Sequence, residues 1–186
     1  MGLLALAVLA IATPLLTLTP AQMARSIAWE QRVGAMLLGA EAARISRERA
    51  DAAYLEVVPP GAPAAGTRGE DAPAQWLAAR GEVLRHWLYL VLHRLAIFRL
   101  WDLLAALFII AALVDGQLIR RARMWDFSFV SPMRHRMSLA GMGLCGTTAA
   151  VAVLAPFPQP PVLLPLCVVG LGLSLRAYLA NLQKRY

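Results

Sequence analysis

The sequence is poor in the residue types that most enzymes and metalloproteins use for chemistry. Among 186 residues it has two cysteines and three histidines, with no zinc-binding Cys/His spacing and no disulfide framework. It has no glycine-rich phosphate loop, no Ser/His/Asp set and no paired carboxylates in its apolar segments. These absences argue against nucleotide hydrolysis and hydrolase chemistry, so we expect no enzyme activity, no cofactor and no metal.

Apolar residues are abundant and unevenly distributed. They make up 59% of the chain and gather near residues 2–19, 95–114, 139–155 and 162–175, with the long charge runs between them. This pattern is typical of a protein that crosses a membrane several times. Cys145 and Cys167 both lie in these segments, where a thiol usually acts as a small packing group, although a disulfide between them is the alternative.

The positive charge is concentrated in two places. The formal net charge is +7, but residues 21–85 contain eight arginines and eight acids and are neutral overall. The excess lies in residues 116–137 and at the C-terminus. This asymmetry predicts membrane topology, and we expect no direct binding of nucleic acid.

We predict an all-α polytopic membrane protein with four transmembrane helices and an extramembrane helical hairpin. Basic loops stay in the cytosol, which places both termini there and the hairpin in the periplasm of a bacterial inner membrane. The first apolar segment lacks a basic flank, and no A-x-A site stands at its C-terminal end before Pro20, so we favour a retained anchor over a cleaved signal peptide. The predicted order is span 1–19, periplasmic hairpin 20–95, span 96–116, cytosolic basic loop 117–137, span 138–155, periplasmic turn 156–161, span 162–178 and cytosolic tail 179–186.

Two long helices are expected in the hairpin. Apolar residues recur at helical spacing over 20–58, and proline and glycine then interrupt the helix over 59–74. A second helix is predicted from Gln75 to about Met124 without a break, because no proline lies inside it. Its first half would run antiparallel to residues 20–58.

Two groups of ionisable residues are candidate sites. Arg99 and Asp102 are three residues apart near the outer end of the second span, which favours an ion pair. The alternative is a proton or ion relay, which would make the protein a small transporter or ion-conducting helper. Glu82, His86, Tyr89 and His93 share one helix face and would be either a metal site or, as we prefer, an interfacial packing surface.

Small residues in the last two spans are spaced for close helix packing. We expect this packing within the chain, with homo-oligomer formation as the alternative. The residues are Gly143, Gly146, Thr147, Ala150, Gly170 and Ser174.

The cytosolic loop mixes arginines with aromatic residues and is the least generic part of the chain. It is expected to contact anionic lipid or, alternatively, to dock a cytosolic partner. The candidate contact residues are Arg120, Arg121, Arg123, Trp125, Phe127, Phe129, Ser131, Pro132, Arg134 and His135.

Four pieces of residues 95–183 resemble a known family in their order and spacing. They are the Ala-Leu-Val-Asp-Gly run at 112–116, the following Arg-Arg pair, Phe-Ser-Phe-Val-Ser-Pro at 127–132 with His135 nearby, and the closing run at 176–183. The family consists of small inner-membrane proteins encoded in the transfer regions of integrating conjugative elements and conjugative plasmids. The resemblance implies an accessory component of a type IV secretion or DNA-transfer apparatus, with lipids and other transfer subunits as partners. It carries over no catalytic residue.

Overall fold

The computed structural model describes Leu9 and residues 12–59, 72–125 and 132–182. These residues are helical and include no β-strand, which confirms the predicted all-α class. Most of the predicted span 1–19, the centre of the proline-rich loop and the middle of the basic loop lie outside the described residues. The helices are α1 (12–17), α2 (Pro20–Leu38), α3 (Ala40–Val57), α4 (Ala72–Arg99), α5 (Asp102–Trp125), α6 (Pro132–Leu154) and α7 (Leu163–Ala180).

The described chain divides into two compact units. Unit 1 contains α1 to α4 up to Leu100, together with residues 151–161. Unit 2 contains α5, the part of α6 up to Ala150, and the chain from Val162 onwards.

In unit 1, a capping box starts α2 and a glycine ends it. The Thr19 hydroxyl accepts a hydrogen bond from the Gln22 amide, the Gln22 side chain accepts one from the Thr19 amide, and Pro20 occupies the first turn. Gly39 then adopts a φ of 87°, a conformation that glycine tolerates without strain. The predicted single helix over 20–58 is therefore wrong, because the chain leaves the helical conformation at Gly39 and begins α3 there.

The predicted two-helix hairpin is instead an arrangement of three long helices in the described part of unit 1. Leu15 before α2 contacts Arg80, and Glu30 within α2 contacts Arg94, so the chain through α2 runs parallel to α4. The α3 helix runs antiparallel to α4, because Tyr54 near its end lines a cavity with Glu82, whereas Arg47 near its start acts on the charge of His93. A buried cluster lies between α2 and α4, with the end of the α1 segment packed on it: Met23, Ile27, Val83 and Leu90, with Leu15 and Leu18 against them.

The predicted continuous helix from Gln75 to Met124 is also wrong, because it breaks at Leu100 and Trp101. The Leu100 amide donates to the Ile97 carbonyl in a tight turn, and the Trp101 carbonyl accepts the first bond of α5 from Ala105. Arg99 lies in the last turn of α4 and Asp102 in the first turn of α5. The positive Arg99 complements the dipole at the C-terminal end of α4, and the negative Asp102 complements it at the N-terminal end of α5. The two charges therefore stabilise the end of one helix and the beginning of the next, without a proline or glycine between them.

Unit 2 contains helices with strongly apolar surfaces. Asp102–Arg123, Pro132–Leu154 and Leu163–Ala180 are each long and apolar enough to cross a membrane. They overlap three of the four predicted spans. On α5, large apolar side chains stay exposed along the helix, as expected for a helix solvated by lipid: Leu103, Leu104, Leu107, Ile110, Val114 and Leu118.

Candidate functional site

The candidate site is the basic end of unit 2, where α5 and α7 end and α6 begins. It contains seven of the ten residues predicted as lipid or partner contacts. These are Arg120, Arg121, Arg123 and Trp125 on α5, and Pro132, Arg134 and His135 on α6. The other three, Phe127, Phe129 and Ser131, lie outside the described residues.

Arg123 joins the ends of α5 and α7. Its Nη1 donates to the Ala180 carbonyl at 3.1 Å and to Asn181 Oδ1 at 3.0 Å. The last carbonyls of a helix have no partner inside the helix, so a guanidinium there satisfies an acceptor and complements the helix dipole. Asn181 Nδ2 donates to the Ala177 carbonyl at 2.6 Å and completes this cap.

The Asp115-Gly116 pair explains a second contact between the same helices. Asp115 forms an ion pair with Arg176, and both side chains are about half exposed. A Cβ atom on Gly116 would lie 2.9 Å from the Arg176 carbonyl oxygen, so only glycine fits this approach of α5 to α7. Two separate pieces of the recognised sequence pattern, at 112–116 and 176–183, therefore meet in the fold.

His135 packs against α7. Its ring stacks on Tyr178 with 4.8 Å between centroids and 29° between planes. Arg134 precedes it in the first turn of α6, and its guanidinium has no hydrogen-bond partner among the described residues.

A cavity of about 520 Å³ lies among these helix ends. Its polar lining comes from three arginines, two hydroxyl groups and one amide, and no described carboxylate lines it. The polar lining residues are Arg123, Arg134, Arg176, Ser138, Ser174 and Asn181. The position and lining fit an anion.

Two other candidate residues of this end face outwards. Trp125 is 82% exposed and Arg121 is exposed, as is Arg136, which was not among the predicted contacts. Arg120 is half-buried, and its Nε has no partner among the described residues. The basic end thus has an inner, cavity-lining set and an outer, solvent-facing set.

The small residues divide into those at a close approach and those in open space. A Cβ on Gly170 would lie 2.6 Å from Cys145 Sγ, and one on Gly141 would lie 2.6 Å from Ser174 Oγ. A Cβ on Gly143 or Gly146 would meet nothing within 4 Å. Thr147 donates to the Gly143 carbonyl in its own helix, and Ala150 is exposed. Gly116 and Gly141 were not predicted as helix-packing residues, and α7 packs most extensively on α5 rather than on α6.

The two groups of candidate ionisable residues lie in different surroundings. Arg99 and Asp102 lie on opposite sides of a helix break, so the spacing of one continuous helix does not apply to them. Glu82, His86 and Tyr89 line a cavity of about 320 Å³ in unit 1, whereas His93 is buried. Within the described ranges, no group of three or more His, Cys, Asp or Glu residues is placed to hold a metal ion.

Unit 1 contains a buried ion pair that was not predicted from the sequence. Arg94 and Glu30 meet with 2.5 Å between Nη2 and Oε1, and both side chains are almost fully buried. Arg94 also donates to the carbonyls of residues 152, 153, 155 and 157, which include the last turn of α6 and the proline turn. The Gln159 amide donates to Glu30 at 2.8 Å. The pair therefore holds the turn at 156–161 to α2 and α4.

A signal for this pair is present in the sequence. Met23, Ile27, Glu30 and Gly34 fall on the one face of α2 that is buried, so a charge stands at a core position. Arg94 similarly interrupts the apolar run of the last turns of α4. A charge inside an apolar face indicates a buried partner, because an unpaired one would be strongly destabilising.

Two neighbouring groups on α4 have shifted ionisation. Burial, together with a hydrogen bond to Asp51 at 2.8 Å, raises the pKa of Tyr89 to about 12. Burial lowers the pKa of His93 to about 4, and the charges of Arg47 and Arg94 act in the same direction. Both ring nitrogens of His93 are buried without a hydrogen-bond partner among the described residues.

In the part of the chain that the structure describes, the fold and the basic site define an all-helical protein with three candidate membrane-spanning helices and an arginine cluster at the ends of α5 to α7. The chain belongs to the DtrJ-like family of IncC plasmid conjugative DNA transfer proteins, because the sequence model of that family matches residues 30–183. This confirms the family resemblance and supports a role in conjugation. Comparison with curated proteins gave no match, and neither did comparison with solved structures.

Proposed function

We propose that this protein is a non-enzymatic inner-membrane component of a conjugative DNA-transfer machinery, a type IV secretion system. It scaffolds or regulates this machinery or its coupling ATPase. The observation that carries the proposal is the family match, which covers both units of the chain. Three helices with exposed apolar surfaces support insertion in a membrane.

The arrangement of charge supports an orientation with the basic end in the cytosol. Arginines cluster where α5 ends and α6 begins, and cytosolic loops carry the excess of Lys and Arg in inner-membrane proteins. The proline turn at 156–161 is held within unit 1 by Arg94 and Glu30. The turn and α2 to α4 therefore belong on the same side, which we assign to the periplasm.

The outer set of the basic end is the surface we assign to other transfer subunits. Trp125 is highly exposed beside Arg121, and exposed Trp and Arg are the residue types that dominate binding energy in protein interfaces. Residues of α2 to α4, which we assign to the periplasm, would supply a second surface for partners.

Affinity capture combined with mating tests the proposal. A tagged protein in mild detergent should recover transfer-system subunits, and deletion of its gene should lower the frequency of conjugative transfer. Trp125→Ala should reduce both signals, whereas Trp76→Ala, an equally bulky exposed change in unit 1, should leave cytosolic partners bound. Normal transfer after deletion, or capture of no transfer subunit, would contradict the proposed role.

A further inference from the structure

The lining of the 520 Å³ cavity in unit 2 combines positive charge with apolar surface. Ile119, Met137, Leu173 and Ala177 contribute the apolar part, beside Arg123, Arg134 and Arg176. A small inorganic anion needs no apolar wall, whereas an amphiphile with a charged head uses both kinds of surface.

The three arginines retain hydrogen-bond donors for a ligand. A guanidinium has five N–H groups. Arg123 uses Nη1 on α7 and Arg176 uses Nε on Asp115, so both are held in place with other donors left. Arg134 has no partner within the described ranges.

The backbone adds to the positive potential. Arg134 and Ser138 line the cavity from the first two turns of α6, and the N-terminal end of a helix carries partial positive charge. Planar guanidinium groups match phosphate oxygens in a two-pronged geometry. The cavity lining is therefore complementary to a phosphate group that is attached to an apolar body.

We propose that this cavity binds one anionic phospholipid, with the phosphodiester on Arg134, Arg123 and Arg176 and an acyl chain along Leu173 and Ala177. The inference rests on the membrane insertion in the proposed function. Basic pockets between helices on the cytosolic side of a membrane are suited to anionic headgroups. A bound lipid would fix the ends of α5, α6 and α7 and leave the outer residues Arg121 and Trp125 to partners.

Native mass spectrometry of the purified full-length protein, delipidated in nonionic detergent, tests the inference. Phosphatidylglycerol and phosphatidylcholine are added separately, and inorganic phosphate is added to the protein with phosphatidylglycerol already bound. The wild type should retain one phosphatidylglycerol and bind phosphatidylcholine much more weakly. Arg134→Gln should lower the affinity for phosphatidylglycerol by about tenfold or more, since it removes a charged hydrogen-bond donor. It should not affect folding, because Arg134 is exposed.

Arg136→Gln is the matched control, with the same charge change on an exposed residue of the same helix outside the cavity lining. It should bind phosphatidylglycerol like the wild type. Equal losses in both variants would overturn the site, as would equal binding of phosphatidylcholine. Displacement of phosphatidylglycerol by millimolar inorganic phosphate would show that the cavity binds a free anion, and would overturn the inference of a lipid ligand.

The result is separable from the proposed function. Site-specific lipid binding without capture of transfer subunits would contradict the scaffold role and leave this inference standing. Capture of transfer subunits by a protein that binds no phosphatidylglycerol would overturn this inference alone.

Discussion

Arg94 and Glu30 form a buried ion pair in unit 1. Prolines in the turn at 156–161 supply no amide hydrogens, and the last carbonyls of α6 have no partner inside their own helix. Arg94 donates to several of these carbonyls, and Glu30 balances its charge. Trp87 Nε1 adds a bond to the Leu154 carbonyl at 2.6 Å.

Removing one member of this pair should destabilise the protein strongly. Glu30→Gln leaves the buried Arg94 charge without a counter-charge, and such changes cost about 3 to 5 kcal/mol of unfolding free energy. The measurement is thermal and chemical denaturation in detergent, with unfolding monitored by circular dichroism. Glu48→Gln is the control, because Glu48 is exposed and pairs with Arg44 on the surface of α3. Similar stabilities for both variants would contradict the role assigned to the buried pair.

His93 should make the stability of unit 1 depend on pH. Its pKa is lowered to about 4 in the fold by burial and by Arg47 and Arg94, with Asp51 opposing, against an ordinary value of 6.5. Between these values the unfolded chain binds a proton that the fold excludes, so stability falls as pH decreases from about 6.5 to about 4. The total effect is on the order of 3 kcal/mol.

Denaturation at a series of pH values measures this effect. His93→Phe preserves a ring that can stack on Tyr89 but removes the titrating group and two unpaired nitrogens. The variant should lose the extra slope between pH 4 and 6.5. A variant curve parallel to that of the wild type across this range would show that another group is responsible.

At the scale of helices, glycine matters where backbones meet. Gly116→Ala would place a methyl group 2.9 Å from the Arg176 carbonyl and 3.0 Å from Leu179 Cβ. Because backbone cannot move aside easily, we expect a loss of about 1 to 3 kcal/mol in unfolding free energy. Gly143→Ala meets open space and should be neutral or slightly stabilising, since alanine favours helix. Equal thermal midpoints for both variants would contradict the packing of α5 on α7.

The sequence predicted helix content and apolar segments well and helix ends less well. Periodicity and composition are local properties, so the helical stretches of α4 to α7 were expected, but the break between α4 and α5 and the start of α6 at Pro132 were not. Gly39 was missed because a single glycine is tolerated in many helices, and its positive φ becomes favourable only where the chain must turn into α3. Leu100 and Trp101 contain no breaker, although Arg99 and Asp102 carry the charges of a helix end and a helix start.

The candidate site was predicted as a segment but not as a cavity. The arginines of residues 116–137 stood out by charge, and Arg123 and Arg134 do line the cavity. Arg176 and Asn181 joined it only through the packing of α7, which no local pattern encodes. The Glu30–Arg94 pair was missed for the same reason, because its members are 64 residues apart.

For the whole molecule, the proposed partner contacts and lipid site depend on which side of a membrane each part occupies. The arginine-rich ends of α5 to α7 should face the cytosol, and α2 to α4 with the proline turn should face the periplasm. This polarity would allow one protein to contact transfer subunits on both sides. The sidedness also decides whether the proposed lipid site faces the cytosolic leaflet.

Cysteine accessibility in living cells measures the sidedness of these helices. Arg49→Cys on α3 and Arg121→Cys on α5 each place a thiol at an exposed position, and the unsubstituted protein gives the background from Cys145 and Cys167. With a membrane-impermeant maleimide and a permeabilised outer membrane, we predict labelling of the first variant in intact cells and of the second only after the inner membrane is disrupted. Labelling of Arg121→Cys in intact cells, or protection of Arg49→Cys there, would contradict the account.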